Sequence, residues 1–227
     1  MKGKWVLALL LSLVCLGAWL TTADAVIYRL RFQINTFQRP GPLLTDPPVK
    51  FLSTNIQVND SMQRPYDAVQ SLKVTAPDSA EVDLTQSWNE VSQAYTYSVN
   101  VGAGPVPAGT YTAIVVGKDS STITQTATLD GSFLDIATIT SPAAGSTTSD
   151  LVPTITWTAV PEAQYYILNI SGPPWGNYSV QLYRNTFTVP AGVLKPASNY
   201  TIYLNAHNSD KLVTKSSTSA NVSFITP

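Results

Sequence analysis

Strict alternation of apolar and polar side chains recurs along the chain beyond residue 25. Tyr28, Leu30, Phe32 and Ile34 alternate with Arg29, Arg31 and Gln33. Tyr95, Tyr97, Val99 and Val101 alternate with Thr96, Ser98 and Asn100, and Tyr200, Ile202, Leu204 and Ala206 with Thr201, Tyr203 and Asn205. Neighbouring side chains in a strand point to opposite faces, so each run predicts a strand with one buried and one wetted face, as in antiparallel sheets. Threonine, a β-branched residue suited to strands, is frequent on the polar side. Helical spacing is nearly absent, and its best candidate is a short turn around Ser87–Ala94.

Breakers fall between the runs, at Pro40-Gly41-Pro42, Pro77-Asp78, Asp130-Gly131, Pro142 to Gly145, Gly172 to Asn177 and Pro190 to Gly192. Short strands punctuated roughly every 8–12 residues predict a sandwich or barrel rather than a βαβ fold. A faint repeat supports two units. Pro107-Ala108-Gly109-Thr110-Tyr111 resembles Pro196-Ala197-Ser198-Asn199-Tyr200, each a turn followed by a tyrosine that opens a strand. The two tyrosines stand about one 100-residue immunoglobulin-like unit apart, and in that architecture such a tyrosine bonds back across its corner. The expected organisation is a leader over 1–25, one β-sandwich over 26–137 and a second over 138–227, joined near Asp135–Ala137. The polar stretch Ser141 to Ser149 is the expected loop between the first two strands of the second unit.

The leader rests on Lys2 and Lys4, an apolar run from Trp5 to Leu20, and Ala23 and Ala25 as the small residues of a cleavage site. At about 16 residues the run is short of the roughly 20 that span a bilayer. Cleavage after Ala25 would leave a mature chain with no membrane span and, since Cys15 is the only cysteine, with no thiol.

Residues 138–227 resemble a fibronectin type III domain. Pro153-Thr154-Ile155-Thr156-Trp157-Thr158-Ala159-Val160-Pro161 is similar to its strand B, with Trp157 as core tryptophan. Ala163 to Ile170 is similar to strand C, and Leu194-Lys195-Pro196 with Tyr200 to Ala206 to the E–F corner and strand F. Residues 26–137 resemble bacterial secreted immunoglobulin-like domains, through Leu72-Lys73-Val74-Thr75-Ala76-Pro77-Asp78 and the Gly109-Thr110-Tyr111 corner, with Leu72 near the place of Trp157's counterpart. The resemblance implies an all-β fold of two tandem immunoglobulin/fibronectin III-like β-sandwiches. It is silent on activity.

Composition narrows the chemistry. Charged residues make up 12% of the chain and balance to a net charge of −1, so no basic field is on offer to nucleic acid. A catalytic triad would have to use His207, the only histidine, and the alternation of strand F turns it outward to solvent. One histidine and no mature cysteine disfavour zinc. Asp130, Asp135 and Asp150 are the candidate oxygen ligands for calcium, without calcium-loop spacing. Glu81, Asp83 and Glu90 are the acids nominally available for glycoside hydrolysis, though each is expected in a solvated turn or strand edge. The Gly102-Ala103-Gly104 stretch precedes a proline and opens no helix, so it cradles no phosphate. No cofactor is expected.

Surface recognition remains. Gly172-Pro173-Pro174-Trp175-Gly176-Asn177-Tyr178 is the expected hairpin between strands C and C′. Trp175 at its tip, with Tyr178 and Tyr203, is the candidate binding platform. Trp175 folding back over Tyr183 or Tyr203 is the plainer alternative, and Trp88 is expected in the core. Tyr165 and Tyr203 are placed on outward faces of neighbouring strands. The sequence thus predicts an exported, non-enzymatic binding or structural protein, an adhesion, scaffold or assembly module with a protein or glycan partner at the cell envelope. A carbohydrate-binding module using the Gly172–Tyr178 aromatics is the alternative. Asn59, Asn169, Asn177, Asn199 and Asn221 open N-x-S/T triplets, which so Ser- and Thr-rich a chain produces by chance.

Overall fold

The computed structural model describes residues 26–227 except 44, 61–64, 103, 175, 210 and 211. The leader at 1–25 lies outside the described residues. The first half runs β1 (Ile27–Arg39), β2 (Val49–Asp60), α1 (Pro65–Ala68), β3 (Val69–Thr75), β4 (Glu81–Asp83), β5 (Trp88–Asn89), β6 (Ala94–Gly102), β7 (Gly109–Gly117) and β8 (Thr122–Leu129). The second runs β9 (Ile139–Ser141), β10 (Thr154–Trp157), β11 (Tyr165–Gly172), β12 (Gly176–Leu182), β13 (Thr186–Thr188), β14 (Asn199–Ser209), β15 (Val213–Thr218) and β16 (Val222–Ile225). The described residues are all-β apart from the single turn α1, as the alternation predicts.

In the first half β1-β2-β6-β5 packs over a sheet ordered β4-β3-β7-β8. In the second, β9-β10-β13 packs over β12-β11-β14, with β15 and β16 both pairing β14 as two pieces of one interrupted last strand. Three strands against four, with the first, second and fifth on the small sheet, is the fibronectin type III order. Ser219 fills the interruption. Its N–H donates to the Leu204 carbonyl, and its hydroxyl accepts from the Leu204 N–H at 2.9 Å. Inward side chains form two separate cores. Phe32, Ile34, Ile56, Leu72 and Val115 anchor one, and Ile155, Trp157, Leu168, Ile202 and Leu204 the other. Trp157 packs edge-on to Tyr166, ring centroids 5.5 Å apart.

Both tyrosine corners close as expected. The Tyr111 hydroxyl donates to the Pro107 carbonyl at 2.9 Å, and that of Tyr200 accepts from the Lys195 N–H at 2.7 Å while donating to the Pro173 carbonyl. Each ring stays in its core while its one polar atom is satisfied.

The expected short turn around Ser87–Ala94 forms, the Asn89 side chain accepting from the N–H groups of Val91 and Ser92 and turning the chain between β5 and β6. The helix among the described residues is the single turn α1. Two other expectations are corrected. The alternation at the start of β1 slips by one, because the ladder with β2 shifts register between Ile27 and Arg29, and Ile27 is buried. Leu72 is not the counterpart of Trp157. Trp157 stands on the second strand of its unit and Leu72 on the third, so the matching strand is β2, with Ile56 buried at its middle.

The two halves share a sheet. β15 pairs with β1 in parallel, Ile34 opposite Val213 through Gln38 opposite Ser217, and the Ile34 N–H donates to the Leu212 carbonyl at 2.9 Å. This ladder fuses the β1-β2-β6-β5 sheet of the first half with the larger sheet of the second into one of nine strands, ordered β12-β11-β14-β15-β1-β2-β6-β5 with β16 also on β14.

Candidate functional site

The parallel seam has two faces. On the inner one, the positions of β1 after Ile34 become polar: Thr36 and Gln38 are buried where an apolar residue would continue the pattern. Lys215 and Ser217 are buried opposite them on β15. All four hold the segment linking the halves. The Thr36 hydroxyl donates to the Ser132 carbonyl at 3.0 Å, the Gln38 amide to the Leu134 carbonyl, and the Ser217 hydroxyl to the Asp135 carbonyl at 2.6 Å. The Lys215 ammonium lies 2.6 Å from Asp130, 2.6 Å from the Ser132 hydroxyl and 3.0 Å from Glu162. Burial alone would push its pKa down. Hydrogen bonds to Asp130 and Glu162 outweigh that and raise it. The Lys215 hydrogen bond, with help from the Ser132 N–H, lowers the Asp130 carboxyl to about 2. Thr36, Gln38, Lys215 and Ser217 are themselves buried and find their partners on the linking segment, which is why the inner face is polar here.

The outer face of the nine-stranded sheet crosses the seam without interruption. Reading along the register, Asn100, Phe51, Phe37, Ser216, His207 and Tyr165 lie in one row across β6, β2, β1, β15, β14 and β11. Phe37 and Phe51 stack at 5.9 Å, with the Arg39 guanidinium over Phe51. Tyr165 stacks flat on His207 at 4.9 Å and tilts toward the exposed Tyr183 at 6.4 Å. The next row holds Ser98, Ser53, Asn35 and Thr214, where the Asn35 amide is hydrogen-bonded to the Thr214 hydroxyl at 2.9 Å. A shallow concavity of about 440 Å³ lies over these residues together with Gln33, Asn55 and Thr96.

Two residues of the predicted platform, Tyr178 and Tyr203, are not brought together. Trp175 lies outside the described residues. Tyr178 pairs with Ile170 and turns inward, stacking with Phe187 at 6.3 Å beside the second core. Tyr203 pairs with Asn169, opposite neither of these, on the outer face. Tyr178 and Tyr203 therefore occupy opposite faces of their sheet. Tyr165 and Tyr203 share the outer face but sit at register positions four residues apart on β11, with no ring contact. Trp88 packs against the first core between Tyr66 and Tyr95.

The other candidates have local employment. His207 is half-buried under Tyr165, and desolvation lowers its pKa. Asp130 serves Lys215, while Asp150 accepts from the Val152 N–H. Among the described residues no group of three His, Cys, Asp or Glu is placed to hold a metal ion. Glu81 pairs with Lys73 at 2.6 Å, Asp83 caps the Thr85 N–H, and Glu90 contacts Gln93. The sequence signal for the seam was the polar break at Thr36 and Gln38. Nothing in the sequence alone pointed to the Phe37–Phe51 pair as part of a row reaching Tyr165, because that row spans two units.

No helix of the described residues is long and apolar enough to cross a membrane. No family model matches the chain, and no curated protein matches it. Among solved structures it is similar to the Clostridium thermocellum CbhA fibronectin(III)-like modules, at 12% identity over 87% of this chain and 93% of that one, TM-score 0.38. It is also similar to a two fibronectin type-III domain segment from chicken tenascin, at 12% identity over 89% and 96%, TM-score 0.31. A cytokine receptor complex is similar at 12% identity over 75% and 89%, TM-score 0.34. On its own strand order, the chain has a fibronectin type III-like β-sandwich fold.

Proposed function

We propose that this chain is an exported, non-enzymatic binding and scaffold protein of the cell envelope or extracellular space. In this reading residues 1–25 are a cleaved leader, 26–137 and 138–227 are two sandwich domains, and the partner is a protein or glycan. The observation that carries it is the seam. A parallel ladder, the Lys215 ion pairs and three linker hydrogen bonds hold the two cores in one orientation, so that a single outer face runs across both. A fixed frame presenting a broad face suits recognition, since function resides in surfaces that a fold holds still.

The test uses the full chain, tagged at its C terminus in its native cell, with fractionation, N-terminal sequencing and pull-down from the envelope. Recovery outside the cytoplasm with Val26 as first residue and a partner captured supports the reading. Cytoplasmic recovery with an intact leader, or substrate turnover by the purified protein, would overturn it.

A further inference from the structure

We propose that the outer face of the nine-stranded sheet, centred on the concavity over β1, β2 and β6, binds a uronic-acid-bearing polysaccharide. This rests on the reading of the chain as a non-catalytic binding scaffold and names the class of its ligand.

The floor of the concavity consists of amides and hydroxyls: Gln33, Asn35, Ser53, Asn55, Thr96 and Ser98. Such groups both donate and accept, as the hydroxyl groups of a sugar do, and none carries charge. The floor is rigid because each residue stands on a paired strand and Asn35 is tied to Thr214. Beside it, the Phe37 and Phe51 rings supply an apolar patch on the same face, where the C–H side of a pyranose ring can lie.

Charge selects among sugars. On β1 the outward residues read Arg29, Arg31, Gln33, Asn35, Phe37 and Arg39, so arginines bracket the floor at both ends. At roughly 3.3 Å per residue, Arg31 and Arg39 stand about 26 Å apart, a span of several monosaccharides. Among the described residues none of these arginines is in an ion pair. The one carboxylate in the strands of this sheet is Asp60, which is buried on the opposite face. The strands thus present guanidinium groups and no carboxylate on this face. Guanidinium forks match carboxylates bidentately. The same spacing argues against a nucleic acid, whose phosphate at every nucleotide calls for a denser array of cations.

The experiment is isothermal titration of the full mature chain with oligosaccharides of hyaluronate, polygalacturonate and alginate, with cello-oligosaccharide and oligothymidylate as comparisons. At least one uronate polymer should bind. Its affinity should fall about tenfold or more in the Arg31→Ala/Arg39→Ala double variant and in Asn55→Asp, which places a carboxylate on the floor, with melting temperatures unchanged. Thr124→Ala, exposed on β8 of the other sheet, should bind as the parent does. Failure of all three uronate polymers to bind overturns the inference. So does binding that survives both variants, or cello-oligosaccharide or oligothymidylate binding as tightly. Release of reducing ends from the polymer would instead defeat the non-catalytic reading. An envelope protein captured by a chain that binds no glycan would leave that reading standing and end only this inference.

Discussion

The Lys215 ammonium is 2.6 Å from the Asp130 carboxylate, which places a side chain from the last strand of the second core on the segment that leaves the first. Lys215 is nearly enclosed, its side chain 10% exposed, whereas those of Asp130 and Glu162 are each 59% exposed. Replacing Lys215 by Ala strips both acids of their partner but leaves them able to regain water. The loss should be about 1–2 kcal/mol, below the figure for a fully buried pair. Chemical denaturation of the Lys215→Ala variant should also lose cooperativity, with fluorescence of Trp88 and Trp157 reporting separate transitions for the two cores.

Acid should weaken the same seam. Asp130 titrates near 2 in the folded chain against an ordinary 3.8, so its ionised form is favoured by folding. Its contribution is complete above about pH 4 and disappears as pH falls toward 2. Melting temperature measured between pH 5 and pH 2 should drop less steeply in Asp130→Asn than in the parent, since that variant has no such carboxylate to protonate.

His207 acts in a higher window. Burial under Tyr165 lowers its pKa below 6.5, so folding favours the neutral imidazole. Stability from this source is present above about 6.5 and diminishes as pH falls through the lowered value. Titration of the imidazole followed by NMR should give a midpoint below 6.5 that rises in Tyr165→Ala, where the ring is uncovered.

The second tyrosine corner is the more heavily used of the two. Tyr200→Phe loses the acceptor for the Lys195 N–H and the donor to the Pro173 carbonyl, whereas Tyr111→Phe loses one bond, to the Pro107 carbonyl. Denaturant midpoints should show about 1–3 kcal/mol lost in the first variant and about 1 kcal/mol in the second.

Gly172 permits that corner. A methyl group there would meet the Tyr200 ring at 2.5 Å and the Asn199 carbonyl at 2.9 Å, in a backbone with φ +155°. Gly172→Ala should therefore lower the melting temperature by at least as much as Tyr200→Phe does, because the ring itself must shift.

The elements with unbroken alternation were legible from the chain. Tyr200, Ile202, Leu204 and Ala206 all turn into the second core, and Trp157 and both corner tyrosines take the places their motifs imply. Period-two patterning is a local consequence of the strand backbone, so it survives without knowledge of what lies across the sheet. The inward or outward sense of most strand residues follows from it, whereas the strand order of the second unit follows from the resemblance of its motifs to a fibronectin type III domain.

What the chain could not determine alone is whatever depends on two distant segments meeting. The burial of Thr36 and Gln38 is explained only by the linker beneath them, and that of Lys215 only by Asp130 and Glu162 closing on it. Tyr178 and Tyr203 are expected on one platform, yet pairing with Ile170 and Asn169 sends them to opposite faces. A one-residue difference in register reverses the face of a side chain, and register between strands is set by packing and turns rather than by either strand's own pattern. The tertiary structure decided the seam, and with it which rings and guanidinium groups share a surface.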